Sequence, residues 1–275
     1  MTHVMLNRTL IPAERAMVPA LDRGLTHGLG LYETLKLADH VPVFFEQHMD
    51  RLHKGLAQLG MQTPEPRAAM AADIVRLARA AQVPNGACRV LVTAGPPRGR
   101  PTVLLQVEVR VFPDHPLRLI SYRALRSAAD LKAKTFTTSY LAQQAATAAG
   151  ADDALFVDES GQAHEATTAN LFLYRRDELL TPPLDGSILP GVVRGQVMGL
   201  AASDGIPVRE EHIAVGDLTP ADTLLLTSSV RGIVLAASID GRALDLDEGI
   251  GERLRGLLAT AEADSAAAFA AAYTV

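Results

Sequence analysis

Residues 130–150 read "DLKAKTFTTSYLAQQAATAAG" and place two lysines, Lys132 and Lys134, shortly before a stretch of helical composition that ends at Gly150. Lysine is rare elsewhere, since only four of the 26 lysine and arginine residues are lysines. Arginine keeps its charge, whereas a desolvated lysine can lose its proton and attack a carbonyl carbon. The segment therefore suggests a nucleophilic lysine just before a helix.

The composition is that of an ordinary globular protein of 275 residues, with 48% hydrophobic and 21% charged residues. A net charge of −5 argues against nucleic acid as a partner. The one cysteine, Cys88, cannot form an internal disulfide and fits a reducing compartment. The start "MTHVMLNRTLIPAERAM" lacks the layout of a signal peptide, and no apolar run reaches the ~20 residues of a membrane span. We expect a cytoplasmic protein.

The pattern of the chain predicts two α/β halves. Apolar and polar residues alternate from Leu31 to Leu37, as on a half-buried strand, and the stretch "FFEQHMDRLHKGLAQLG" has the period of a helix that Gly60 ends. We expect an N-terminal α/β domain over 1–118, an interdomain segment over 119–130 and a C-terminal domain over 131–275.

Two motifs in the second half contain groups that bind phosphate. "LPGVVR" places Gly191 where a helix begins, and "LLLTSS" ends a strand with Thr227, Ser228 and Ser229. Taken singly, each also fits an ordinary loop or strand end. Glu165 lies among small and apolar residues, so it is either a solvated strand-end residue or a carboxylate that requires a cationic or hydrogen-bonding partner.

Other motifs are absent or weak. His48 and His53 are five residues apart on a predicted helix and do not share a face, which makes them poor metal ligands. "GLTHGLGLYE" lacks the spacing of a dinucleotide-binding loop, and neither a G-x-S-x-G nor a P-loop motif occurs. Cys88 lies in a strand pattern and is expected to be structural.

Six stretches together resemble the class IV aminotransferases, the pyridoxal 5′-phosphate enzymes of fold type IV. In chain order they are "DRGLTHGLGLYETLKL", "FFEQHMDRL", "DLKAK…LAQQAA…G", "DDALFVDESGQAHEATTANLF", "TPP…ILPGVVR" and "LLLTSS". The resemblance implies an α/β (α+β) fold with a smaller N-terminal domain and a larger C-terminal pseudo-barrel domain. It also implies a homodimer whose active site lies between the two halves and is completed by loops of a second subunit.

The resemblance assigns the cofactor residues. Lys132 stands at the position of the Schiff-base lysine, with Lys134 as the second candidate; the lysine would hold the cofactor aldehyde as an imine and move a proton between the substrate Cα and the cofactor C4′. Glu165 would pair with the pyridinium nitrogen. The remaining cofactor-binding residues would be Arg51, Leu189, Gly191, Val192, Val193, Ser228 and Ser229. The substrate-binding residues would be Tyr32, Thr34, Arg98 and Arg100.

The chain departs from the family at several positions. Thr135 and Phe136 follow where an asparagine and then an aromatic residue are common, and Phe136 has no hydroxyl for the cofactor O3′. "GLG" with Leu29 replaces "GDG", and Val193 replaces a frequent threonine. Ala94, in "VTAG", stands where D-amino acid aminotransferases usually have an arginine. Arg98 or Arg100 would have to replace it, unless both are solvated loop residues.

The predicted reaction is the transfer of an amino group between an amino acid or primary amine and a 2-oxo acid. The family also contains aminodeoxychorismate lyase, which forms 4-aminobenzoate and pyruvate, and Thr34 matches the catalytic threonine of that enzyme. A non-catalytic protein that binds the cofactor is the alternative from a different functional class. The sequence leaves the choice of donor open among L-branched-chain amino acids, D-amino acids and R-amines.

Overall fold

The computed structural model describes residues 2–62, 65–113, 115–126, 128–133 and 136–273. The chain forms two compact units. The first comprises the chain up to Val111, the short segment from Leu131, and the C-terminal part from Ala261. The second comprises Phe112–Asp130 and Phe136–Thr260.

Strands and helices are intermixed along the chain in both units. In chain order they are β1 (His3–Leu6), β2 (Thr9–Pro12), α1 (Arg23–Thr26), β3 (Gly30–Ala38), β4 (Val41–Pro42), α2 (Phe45–Gln58), α3 (Arg67–Ala80), β5 (Gly86–Thr93), β6 (Thr102–Glu108), β7 (Leu117–Arg123), α4 (Thr137–Ala148), β8 (Asp153–Val157), β9 (Gln162–Ala166), β10 (Asn170–Arg175), β11 (Glu178–Thr181), α5 (Val192–Ser203), β12 (Val208–Glu210), β13 (Ile213–Ala214), β14 (Thr223–Ser228), β15 (Gly232–Ile239), β16 (Arg242–Ala243) and α6 (Glu248–Tyr273).

The first unit is built on a six-stranded antiparallel sheet in the order β2-β1-β6-β5-β3-β4. The alternation predicted for β3 is confirmed. The side chains at 31, 33, 35 and 37 are buried, and those at 32, 34, 36 and 38 are half-buried. Helices α2 and α3 pack against this sheet. Glu33 points to the same buried side as the leucines at 31, 35 and 37, which places a carboxylate in an apolar core.

The C-terminal part of α6 completes this core. The Phe269 ring lies 5.2 Å from the Phe45 ring and 4.9 Å from the Tyr273 ring, and the pair with Phe45 is edge-to-face. Lys36 Nζ donates to Glu262 at 2.5 Å. The alanine-rich end of the chain is therefore a packed helix. Over the part of the chain that the structure describes, none of the helices combines the length and hydrophobicity needed to cross a bilayer.

The second unit contains a closed ring of strands. Its sheet runs β12-β11-β10-β14-β15-β7-β8-β9-β13, and β9 also pairs with β10 at Glu165 and Asn170. That extra pairing closes the six strands β10, β14, β15, β7, β8 and β9 into a barrel with an apolar core. The predicted fold, an α/β (α+β) chain with a pseudo-barrel in its second half, is confirmed.

Two segments differ from the sequence-based description. Residues 117–123, predicted to lie largely in a crossing between the halves, form β7, which pairs in parallel with β15 and β8. A central strand needs only a short apolar run, here centred on Leu117 and Leu119, and such a run is hard to tell from a linker. Lys132, expected at the start of the C-terminal domain, clusters with the first unit. The domain limits themselves stay a prediction.

We expect Phe269→Ala to lower the free energy of unfolding by about 3–5 kcal/mol, because a large side chain that is 5% exposed leaves a cavity between Phe45 and Tyr273. Urea titration followed by circular dichroism measures the loss. Phe112→Ala makes the same chemical change at a ring that is 37% exposed and serves as the control. An equal effect of both substitutions would contradict the packing described for α6.

Candidate active site

Main-chain pairing with β3 fixes the position of Lys132. Leu31 and Ala133 form an antiparallel bridge, and the Tyr32 N–H donates to the Lys132 carbonyl at 3.0 Å. The half-buried Lys132 side chain places its ammonium nitrogen 4.9 Å from the centre of the Tyr32 ring. The structure thus brings together the predicted nucleophile and one predicted substrate residue. Lys134, the second candidate, lies outside the described residues.

The Tyr32 ring contacts a second cation. Arg89 on β5 pairs with Thr34 on β3, and its guanidinium carbon lies 4.2 Å from the Tyr32 ring centre. Arg89 is half-buried, and among the described residues its side chain makes neither a hydrogen bond nor an ion pair. Thr34 lies on the same face of β3 as Tyr32. Arg89 was not predicted from the sequence, because its contact with Tyr32 depends on the register of two strands.

A buried ion pair anchors Arg51, the arginine predicted to bind phosphate. Arg51 Nε donates to Glu33 Oε1 at 2.8 Å, and Arg51 Nη2 donates to Glu33 Oε2 at 2.5 Å. His48, one turn earlier on α2, places Nδ1 2.7 Å from Glu33 Oε2. Glu33 is 1% exposed and His48 is fully buried. The guanidinium of Arg51 is therefore held by a carboxylate that lies inside the core.

The charges in this cluster follow from burial and pairing. Burial by itself would raise the pKa of Glu33, but the charge and hydrogen bonds of Arg51, together with His48, outweigh it and hold the pKa at about 2. Burial lowers the pKa of His48 against the opposing effect of Glu33, so the ring stays neutral. Since ionised Glu33 only accepts, His48 Nδ1 carries the proton and donates. No group of three or more metal-binding side chains occurs among the residues that the structure describes.

Glu165 is the buried carboxylate of the second unit, 4% exposed. Its Oε1 accepts hydrogen bonds from Arg126, from Nε at 2.9 Å and from Nη2. Its Oε2 accepts from the Leu189 N–H at 3.2 Å and from Asn170 Nδ2 at 3.3 Å. Arg126 is therefore the cationic partner that a buried Glu165 requires. The sequence around Arg126 contains no motif that would have predicted this contact.

The start of α5 and the end of β14 meet near Asn170. Gly191 is the N-cap of α5; it has no side-chain cap, and the first turn contains no acidic residue. A Cβ on Gly191 would lie 1.9 Å from Asn170 Oδ1, so only glycine fits. Asn170 pairs across the sheet with Thr227, whose buried hydroxyl has no hydrogen-bond partner among the described residues. Open N–H groups and a free hydroxyl suit an anion.

The remaining predicted residues of the second unit surround this point. Leu189, Val192 and Val193 are buried, so any part they take in binding falls to their main chains. The main chain of Leu189 is already bonded to Glu165 and Asn170, which leaves the first turn of α5. Ser228 and Ser229 are half-buried and follow Thr227 directly. The two motifs that the sequence predicts to bind phosphate are thus neighbours in the fold.

The loop between β5 and β6 presents Arg98 and Arg100 to solvent. Asp22, 2% exposed, accepts hydrogen bonds from Thr93 Oγ1 at 2.8 Å and Thr102 Oγ1 at 2.6 Å, which clamps both ends of the loop. Arg98 and Arg100 make no hydrogen bond or ion pair through their side chains with any described residue. The loop is therefore held at its base, and its two guanidinium groups can bind an anion.

Comparison with known proteins places the chain in one family. The sequence profile of the amino-transferase class IV family matches residues 30–239. A provisionally named branched-chain-amino-acid aminotransferase of Methanocaldococcus jannaschii is 30% identical over 88% of this chain and 89% of its own length. D-alanine aminotransferase of Bacillus licheniformis is 24% identical over 88% and 89% of the two chains. The crystal structure of a provisionally named 4-amino-4-deoxychorismate lyase of Legionella pneumophila superposes with a TM-score of 0.85 at 28% identity, covering 91% of this chain and 97% of the other.

The Glu33–Arg51 pair makes stability depend on pH. The folded pKa of about 2 lies below the ordinary value of 4.5, so the ionised carboxylate stabilises the fold above pH ~4.5 and loses that effect as the pH falls towards 2. We expect Glu33→Gln to cost about 3 kcal/mol of unfolding free energy at pH 7. The difference from the unsubstituted protein should shrink from pH 5 to pH 3.

Urea titrations at pH 7, 5, 4 and 3 measure this difference. Glu178→Gln breaks an exposed ion pair with Arg209 and is the control, with a much smaller effect at every pH. A deficit of Glu33→Gln that stays constant down to pH 3 would show that Glu33 does not stabilise the fold through its charge.

Proposed function

Because the chain belongs to the class IV aminotransferases, enzymes that work with pyridoxal 5′-phosphate, we propose that it transfers an amino group between an amino acid or primary amine and a 2-oxo acid. The observation that carries the proposal is the half-buried Lys132, held by its main chain against β3 with its amine over the Tyr32 ring. A lysine so positioned can carry the cofactor.

The residues of the second unit fit the cofactor. The start of α5, which has no side-chain cap, and the Thr227 hydroxyl, which has no partner among the described residues, suit a phosphate. Ser228 and Ser229 follow Thr227 directly. Buried Glu165 suits a protonated ring nitrogen. When bound, pyridoxal phosphate supplies an aldehyde that a lysine amine can attack and a ring that accepts electrons from the substrate Cα. For Arg51, in the first unit, we propose the phosphate-binding role that the resemblance implies, with Glu33 fixing its side chain.

Lys132 has two tasks in the proposed reaction. Its amine would hold the cofactor through the aldehyde carbon, with the loss of one water. When released by a donor amine, the same amine of Lys132 would accept the proton of the donor Cα and return it at C4′. Water would supply the oxygen of the carbonyl product, and the nitrogen and two electrons of the donor would pass to a 2-oxo acid through the same residue.

Three arginines are candidates for binding the substrate carboxylate. Arg89 is half-buried and contacts the Tyr32 ring that Lys132 also contacts. Arg98 and Arg100 stand on a clamped, exposed loop. We place the carboxylate of the acceptor at Arg89, because its guanidinium is partly desolvated and its orientation is fixed by stacking. Arg98 and Arg100 would then serve the pocket of a second subunit in the proposed homodimer.

A lyase reaction is the second candidate. Thr34 lies on the same face of β3 as Tyr32, and one structural relative at 28% identity is named as a 4-amino-4-deoxychorismate lyase. In that reaction the amine stays on the aromatic product and pyruvate leaves, so no amino acceptor is needed. The dependence on an acceptor therefore separates the two candidates.

The proposed function is tested by a donor panel. Cofactor-loaded protein is mixed with D-alanine, L-leucine, L-glutamate or (R)-1-phenylethylamine, and the conversion of the bound cofactor to pyridoxamine phosphate is followed by absorbance and chromatography. We expect conversion with at least one donor and its reversal by a 2-oxo acid. No conversion with any donor, combined with acceptor-independent pyruvate release from aminodeoxychorismate, would contradict the aminotransferase proposal and support the lyase.

The Arg89 assignment predicts a specific kinetic effect. Arg89→Met keeps most of the length of the side chain and its packing on Tyr32 but removes the charge, so we expect KM for a 2-oxo acid acceptor to rise roughly tenfold or more, because a charge-assisted hydrogen bond is lost. The KM for an uncharged amine donor should change little. Arg98→Met and Arg100→Met are the matched variants, and a rise confined to one of them would move the carboxylate site to the loop.

A further inference from the structure

Asn170 occupies the point where the second unit's functional groups meet. It is 5% exposed at the start of β10, a strand whose neighbouring positions are filled by Leu171, Phe172 and Leu173. A buried amide in such a place is costly unless both its donor and acceptor groups are used. Asn170 belongs to the stretch "DDALFVDESGQAHEATTANLF" that resembles the family, but the resemblance gives it no role.

The Asn170 amide donates to two groups on two other segments. Nδ2 lies 3.3 Å from Glu165 Oε2 and 2.9 Å from the Leu189 carbonyl. Both neighbours are pure acceptors, which fixes the orientation of the amide. The Leu189 N–H in turn donates to Glu165 Oε2 at 3.2 Å, so the three residues form a closed ring of hydrogen bonds.

The other face of the same amide shapes the start of α5. Asn170 Oδ1 occupies the space that a Cβ on Gly191 would need, at 1.9 Å. Across the sheet, Asn170 pairs with Thr227, whose hydroxyl is buried without a partner among the described residues. One side chain therefore contacts the carboxylate on β9 and the segment that leads into α5, and its strand partner bears the free hydroxyl.

We propose that Asn170 is a positioning residue that sets the Glu165 carboxylate at a fixed distance and orientation from the phosphate-binding start of α5. This inference rests on the proposed function, in which Glu165 holds the ring nitrogen and α5 holds the phosphate of one cofactor. A rigid ligand gains affinity only when both ends of its site are held at the matching separation. Asn170 contributes that match without touching the reacting atoms.

Two nearly isosteric substitutions separate shape from hydrogen bonding. Asn170→Leu keeps the branched shape of the side chain, with a somewhat larger volume, and removes both donor contacts. Asn170→Asp keeps the volume but puts a carboxylate within 3.3 Å of Glu165 Oε2, where two like charges cannot both persist. Two other charged groups lie nearby. Arg126 donates to Glu165. The Arg194 guanidinium donates to Thr181, to the Pro182 carbonyl and to Glu210.

The experiment measures the affinity of the cofactor-free protein for pyridoxal phosphate by calorimetry between pH 5.5 and 8, with thermal unfolding of the same samples. We expect Asn170→Leu to weaken binding roughly ten- to a hundredfold, because a buried carboxylate and a carbonyl lose a donor. Asn170→Asp should bind nearly as well as the unsubstituted protein at pH 5.5, where a protonated Asp can donate to Glu165. Its relative affinity should fall as the pH rises.

Thr223→Val is the matched control. Thr223 lies at the opposite end of the β10–β14 pair from Thr227. Its hydroxyl accepts a partly buried hydrogen bond from the Asp247 N–H at 3.3 Å, which the substitution removes. It should lower thermal stability yet leave cofactor affinity within about twofold, since it lies away from Glu165 and α5. The inference would be overturned if Asn170→Leu bound pyridoxal phosphate as tightly as the unsubstituted protein does. It would also be overturned if the affinities of Asn170→Asp and of the unsubstituted protein changed with pH in the same way.

A third variant, Glu165→Gln, distinguishes a failure of this inference from a failure of the proposed function. If Glu165→Gln weakens cofactor binding and Asn170→Leu does not, the role of Asn170 is refuted while the assignment of Glu165 stands. If neither substitution weakens binding, the cofactor assignment of this cluster falls, and the inference falls with it.

Discussion

The short main-chain pairing between residues 131–133 and β3 is the constraint on which the first unit's chemistry depends. The Tyr32 N–H donates to the Lys132 carbonyl at 3.0 Å. Because this bond joins main-chain atoms, it does not depend on the identity of the side chains. Because side chains alternate along a strand, β3 then serves two purposes. One face presents Tyr32, which contacts the lysine, together with Thr34, and the other buries Glu33, whose ion pair fixes Arg51 in the core.

The second unit depends on the closure of its barrel. The ring of strands closes where Glu165 on β9 faces Asn170 on β10, and the same asparagine bonds the segment that leads into α5. Barrel closure, the buried carboxylate and the start of α5 are therefore joined through Asn170. Arg126 brings a positive charge to the Glu165 carboxylate, of which only 4% is exposed to water.

Local pattern predicted much of this structure. The alternation over β3, the 3- and 4-residue spacing of α2 and the glycine at the start of α5 each follow from properties of adjacent residues. The ordered stretches around Lys132 and Glu165 identified the family, and the profile match over residues 30–239 confirms it. What could not be predicted depends on contacts between distant segments. Arg89 reaches Tyr32 only through strand register, Arg126 reaches Glu165 across 39 residues, and β7 is recognisable only from its two partner strands.

The central claim is that Lys132 carries the cofactor, and chemical trapping tests it most directly. Cofactor-loaded protein is reduced with sodium borohydride, digested and sequenced by mass spectrometry, with Lys132→Ala and Lys134→Ala treated in parallel. We expect a phosphopyridoxyl group on Lys132, retained when Lys134 is replaced and absent from the Lys132→Ala protein. A label on Lys134, or a label that survives the loss of Lys132, would contradict the claim.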